Sequence, residues 1–174
     1  MKYKKELSDR NKAETGIRYE WYALQRWGAN YSEDFFRPKI VYNDIAQSLT
    51  FGFVEPGIFF NNTVYFINAS ENDIKFLLGI LNNSVFNWYY KNMSVQLGKK
   101  AVRMFSIYME KLPLPILNER TRELYESVIK STEHILNKQG NIEEEENRIK
   151  MQLYKLYKFS SAEIGIIEDS DPLL

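Results

Sequence analysis

The side chains with chemistry to offer in this chain are basic and amide groups placed in turns. Arg37 and Lys39 open a strand-like run, and Asn61 and Asn62 sit side by side at a turn. Gln96, Lys99, Lys100 and Arg103 lie in or beside a loop that contains Gly98. No acid falls between Asp73 and Glu110, so Lys91 and the loop cations have no acidic neighbour in sequence. Lysine and arginine neutralise phosphates, and arginine is also the commonest reader of guanine. Asparagine and glutamine can each pair twice with adenine. The same residues also suit ordinary solvated turns, where paired asparagines tolerate left-handed backbone.

Catalytic chemistry finds much less support. His134 is the single histidine, between Glu133 and Ile135 on a charged helix, and reads as a partly exposed helix residue. The run Glu143–Glu146 reads as the solvated first turn of a helix. Gly79 and Gly98 are too isolated to cradle a phosphate. No His/Asp/Glu spacing fits a metal site, and neither a dinucleotide fingerprint nor a nucleophile elbow is present. Glu33, Asp34 or Asp44 beside Lys39 would suit a metal-dependent nuclease, but Asp34 and Lys39 miss the usual acid-x-Lys spacing. We therefore expect no catalysis from this chain alone.

The bulk numbers narrow the class. With 174 residues, 44% hydrophobic and 15% aromatic, the chain can bury a substantial core and is not disordered as a whole. The absence of cysteine excludes disulfides and thiolate metal sites and fits a reducing compartment, so a cytoplasmic location is expected. No apolar run reaches ~18 residues, so no membrane association is expected. Net charge is zero, yet residues 1–117 carry 15 Lys and Arg against 11 Asp and Glu, while 118–174 carry 8 against 12. A basic body beside an acidic tail confines affinity for a polyanion to one face.

The elements that must position these groups follow from periodicity. YEWYALQRWG (19–28) reads as a short amphipathic helix with Trp21, Leu24 and Trp27 near one face, flanked by Arg18 and Arg26. RPKIVYNDIA (37–46), LTFGFVEPG (49–57) and TVYFINA (63–69) read as strands of a small antiparallel sheet. A helix over 72–92, capped by Asn72 with Asp73 in its first turn, places Ile74, Leu77, Leu78, Leu81, Val85, Trp88 and Tyr89 on one face. Residues 101–109 return as a strand, and LPLPI (112–116) ends the body. Helices over 118–138 and 142–158 form an antiparallel hairpin, and Ser160-x-x-Glu163 opens a last short helix. The expected fold is α+β: a small twisted antiparallel β-rich body packed on a core helix, followed by a C-terminal α-helical hairpin. The expected divisions are a lead-in over 1–16, the body over 17–117, and the hairpin with its last helix over 118–174. The hairpin's apolar stripe packs either on the body or on a partner. That leaves a pure protein-interaction module as the alternative function.

One order of segments is familiar. RWG, FFRPKIVYNDIA, TVYFI, LLGILNNSVFNWYYK, a glycine/lysine loop and YMEKLPLP together resemble the TaqI-like C-terminal specificity domain, and ENRIKMQLYKLYKFSSAEIGIIE resembles the end of the same proteins. The resemblance runs from about Tyr19 to Glu168. Its matching positions are scaffold: Pro38, Lys39 and Ile40; Leu81, Asn82 and Ser84; Leu112, Pro113 and Pro115. Asn83 departs from the pattern there. The resemblance implies a module that recognises a double-stranded DNA sequence for an adenine-specific methyltransferase or restriction catalytic domain, in cis or in trans. S-adenosylmethionine would then bind that catalytic domain, and no cofactor is expected in this chain, which reads as an excised domain or a stand-alone subunit. Arg37, Lys39, Asn61, Asn62, Gln96, Lys99, Lys100 and Arg103 become the expected DNA-facing set.

Overall fold

The structure, a computed structural model, describes residues 2–10, 20–22, 29–97 and 101–170. Of the expected helix over 19–28 only 20–22 are described, without helix, and Gly98, Lys99 and Lys100 also lie outside the described residues. The chain forms two units, 1–34 and 35–174. Within the first, part of the expected lead-in is helical: α1 spans Lys4–Asp9. Turns of 3-10 helix over Ala29–Phe36, kinked at Tyr31, lead into the second unit.

In the second unit, β1 (Lys39–Asn43) is the central strand of a three-stranded antiparallel sheet, between β3 (Phe51–Val54) and β4 (Val64–Asn68). The register sets Ile40 opposite Phe53 and Ile67, and Tyr42 opposite Phe51 and Tyr65. Side chains alternate between faces, so Ile40 and Tyr42 share the face that packs into the core. A second sheet is smaller: β2 (Ile45–Ala46), β6 (Ala101–Arg103) and β5 (Gln96–Leu97), in that order across the sheet.

The core helix expected over 72–92 is two helices. α2 spans Glu71–Leu81 and α3 spans Ser84–Met93, with Asn82 and Asn83 between them. Ser70, not Asn72, caps α2, its hydroxyl accepting from the Asp73 N–H. Asn83 then caps α3 by accepting from the Val85 N–H at 3.2 Å. The interruption resets the helical phase. Phe86, Asn87 and Tyr90 are buried in α3, whereas Tyr89 of the expected apolar face is exposed. The strand expected over 101–109 stops at Arg103, and a one-turn helix α4 (Ser106–Met109) takes its place. The Phe105 carbonyl starts that turn, accepting from the N–H groups of Tyr108 and Met109.

The hairpin forms as α5 (Arg122–Leu136) and α6 (Ile142–Tyr157), followed by α7 (Ser161–Asp169) with the full Ser160/Glu163 capping box. Leu124, Val128, Ile149 and Leu153 join Ile40, Phe51, Ile74 and Leu81 in one buried cluster, so these residues of the hairpin stripe are covered by the chain itself. The close approach depends on Gly79 of α2. A Cβ there would meet the Thr132 hydroxyl oxygen at 2.2 Å, Val128 at 3.1 Å and Ile149 at 3.3 Å. Glu145 also differs from expectation, being buried rather than solvated. Its carboxylate lies 2.9 Å from His134 Nδ1 and accepts from Arg148 at 3.1 Å. The hydrogen bonds from His134 and Ser131, with Arg148 beside them, hold its pKa below the usual carboxylate range.

The described residues are α+β, about 52% helix and 14% strand, so the sheets are the minor component. Among the described residues no helix is long and apolar enough to cross a membrane.

Candidate nucleic-acid interface

The expected DNA-facing residues sort along β1. Arg37 is exposed just before the strand. Lys39 is fully buried, at 0% exposure, and this corrects its assignment as a surface cation. It points to the face opposite Ile40, and its ammonium donates to the Phe35 carbonyl at 2.8 Å and the Glu55 carbonyl at 3.4 Å. Desolvation lowers its pKa. The reason is a second aromatic layer. Phe35 contacts Phe66 of β4 and Phe60, with ring centroids 5.1 and 5.3 Å away, and this layer roofs the outer face of the first sheet. The lysine stem packs there and its head ties two chain segments together.

Those segments hold the turn between β3 and β4. Gly57, at φ 82°, donates its N–H to the same Phe35 carbonyl at 2.8 Å, and the Phe59 ring stacks on Phe35 at 4.7 Å. A left-handed φ is strained for side chains with a Cβ, so glycine suits this corner. Farther along, the Asn61 side-chain oxygen accepts from the Thr63 N–H at 3.2 Å and the Thr63 hydroxyl at 2.6 Å. Asn61 therefore shapes its turn with the atom that an adenine contact would need. Asn62 beside it is exposed.

The turn leads back to the second sheet. The Thr63 carbonyl accepts from the Asp44 N–H at 3.0 Å, and the Asp44 carboxylate pairs with Arg103 at 3.4 Å. The Arg103 guanidinium also lies over the Phe105 ring, 5.3 Å from its centroid. Beneath it, burial pushes the Tyr90 phenol pKa up, and the neutral hydroxyl donates to the Arg103 carbonyl at 2.8 Å. Gln96 is exposed on β5, its amide donating to the Lys91 carbonyl at 3.1 Å. Lys99 and Lys100, between β5 and β6, lie outside the described residues.

Five of the expected residues thus border one bonded path. Arg37 marks one end, Asn61 and Asn62 follow the turn, and Arg103 and Gln96 stand at the other end. At ~3.3 Å per extended residue, Arg37 and Asp44 are roughly 20–25 Å apart. That length matches roughly six or seven base pairs of duplex. The path is not uniformly basic, because Asp44 partly offsets Arg103 and Glu55 is exposed on the turn.

The sequence reading placed Asn82 in the scaffold but missed how the asparagines of this segment act. The Asn82 amide pairs with both backbone groups of Phe51, accepting from its N–H at 2.9 Å and donating to its carbonyl at 3.0 Å. Asn87 accepts from the Leu49 N–H at 3.1 Å. Asn83 donates to the Glu146 carbonyl at 3.3 Å and so grips α6. These amides imitate a strand partner for β3 and lock it to the helices. The signal was the paired asparagines inside an apolar helix pattern, a poor choice for a helix interior unless they break or clamp it. Phe36 and Phe59, both exposed, were also passed over.

No curated protein matches the chain. The family model of the TaqI-like C-terminal specificity domain matches residues 1–114. That span takes in both sheets, the asparagine clamp and the Leu112–Pro113 stop, and ends before the helical hairpin, short of the resemblance read out to Glu168. With about two-thirds of its length matched, including every strand described above, this chain belongs to the TaqI-like C-terminal specificity domain family.

Proposed function

We propose that this chain recognises a double-stranded DNA sequence and positions a methyltransferase or restriction catalytic domain, in cis or in trans, on that site. The family is one of DNA-recognition domains of restriction–modification enzymes. The observation that carries the finer reading is the path on which Arg37, Asn62 and Gln96 are exposed, with Arg103 half-buried against Asp44. Arg37, Asn62 and Gln96 are presented to solvent, whereas the Asn82 amide of the scaffold is spent on the Phe51 backbone. Arg37, Arg103, Lys99 and Lys100 contact phosphates in this reading, and Asn62 and Gln96 reach base edges. Chemistry and S-adenosylmethionine binding belong to the catalytic partner.

The test is selection from a randomised duplex pool at about 50 and about 200 mM salt. Enrichment of a short motif is expected, with affinity falling steeply as salt rises. Changing Lys99 and Lys100 together to alanine weakens binding to all sequences and reduces the logarithmic salt slope by about two. Salt-sensitive binding without enrichment, or an unchanged slope in the double variant, would contradict the assignment.

A further inference from the structure

Among the described residues, the scaffold leaves an apolar tip exposed near the Arg37 end of the proposed recognition path, separate from the exposed Ile45, Val95, Leu97 and Phe105 at its other end. Phe59 is 61% exposed and Phe36 58%, with Ile58 beside them. Their rings meet edge to face at 5.8 Å. The tip is braced from below. The Phe35 carbonyl accepts from both the Lys39 ammonium and the Gly57 N–H, the Lys39 ammonium also reaches the Glu55 carbonyl, and Phe35 stacks under Phe59. A buried cation held by two carbonyls is a costly way to fix a turn unless the position of that turn matters. The Lys39 charge adds positive potential under the rings, and Arg37 and Asn62 flank them in solvent.

The patch consists of two rings and one isoleucine. A stable protein contact buries ~800 Å² on each side, far more than this tip supplies. Insertion into a base step needs only one or two apolar side chains, held rigidly and flanked by polar groups. We propose that Phe59, braced by Phe36, enters the duplex as a wedge and unstacks one base step. Arg37 and Asn62 then hold the backbone and base edges alongside. This rests on the DNA-recognition reading and adds to it. Unstacking is easiest at pyrimidine–purine steps, so the wedge favours target sites with TA or CA/TG at one fixed position.

The experiment places 2-aminopurine at successive positions of the enriched duplex and reads its fluorescence on adding the full chain, with no catalytic partner present to extrude a base. Fluorescence is expected to rise at a single step. Phe59→Ala abolishes the rise and weakens binding to the enriched site by about ten-fold, with the salt slope unchanged. Phe59→Tyr retains both, and melting curves confirm that the variants are folded. Enriched binding by the wild-type chain with no rise at any step would overturn the wedge and leave DNA recognition standing. A rise that persists in Phe59→Ala would overturn the wedge in the same way. So would a Phe59→Ala variant that chiefly loses self-association, which would assign the rings to a protein contact. Failure of the wild-type chain to bind any duplex would overturn both proposals together.

Discussion

The two faces of the first sheet use the same strand for different ends. On the inner face Ile40 and Tyr42 meet Phe51 of β3 and the helices α2 and α3, and nearly everything there is apolar or bonded within the chain. On the outer face Lys39 lies under a thin aromatic roof whose outermost rings are in solvent. The inner face holds the fold; the outer face holds a turn at a fixed place. The lesson is that the most recognisable sequence segment, LLGILNNS, belongs to the inner face. It sets where the proposed recognition path stands, while Arg37, Asn61 and Asn62 of that path lie outside the regular strands.

The largest expected effect tests the inner face. Gly79→Ala should destabilise the chain by about 2–3 kcal/mol, because overpacking at Thr132 and Val128 outweighs the gain in helix propensity. Adding Thr132→Ala should recover part of that loss, a coupling that urea unfolding of the four species would measure. Simple additivity would mean that α2 and α5 do not touch as described. Next, Asn82→Ala should cost about 2 kcal/mol, since it leaves both Phe51 backbone groups without their partner. If exchange of the Phe51 amide is not faster in that variant, the clamp is misassigned.

A pH series sharpens the picture of the hairpin. The folded-state pKa of Glu145 is depressed, so its stabilising contribution is complete above the unfolded value near 4.5 and is lost as pH falls through the lowered folded value. The stability gap between wild type and Glu145→Gln should therefore be widest near neutrality and narrow below pH 4.5. A gap that widens on acidification would reverse the assigned sign. The smallest effect belongs to the outer face. Lys39→Met keeps the stem, removes a buried charge, and leaves the Phe35 carbonyl still bonded to Gly57, so stability should change by no more than about 1 kcal/mol. Enriched DNA binding should nevertheless weaken, because the turn loses its tie to Glu55. A loss of several kcal/mol with unchanged binding would erase the contrast between the two faces.

Much of this architecture was legible. The strand through Phe51 (shorter than expected, at Phe51–Val54), the Gly140 turn of the hairpin and the Ser160/Glu163 capping box are local signals that took their expected structure. The errors arose where a distant segment decided. Periodicity alone ran α2 into α3, because the reason for the break at Asn82 is a strand 31 residues away in sequence. Lys39 looked like a surface cation because its residue type is normally exposed, and only the return of residues 55–66 over the outer face buries it. Glu145 looked solvated in a run of four glutamates until His134, on the other arm of the hairpin, drew it inward.

By itself, then, the sequence determined the α+β class, the helical hairpin and membership of the family, because periodicity, caps and turn residues act over a few positions. Only the tertiary structure decided which of the polar residues are presented and which are spent inside. That choice turns on packing between segments far apart in the chain, where a carbonyl, a ring or a missing Cβ on one element determines what its partner can do.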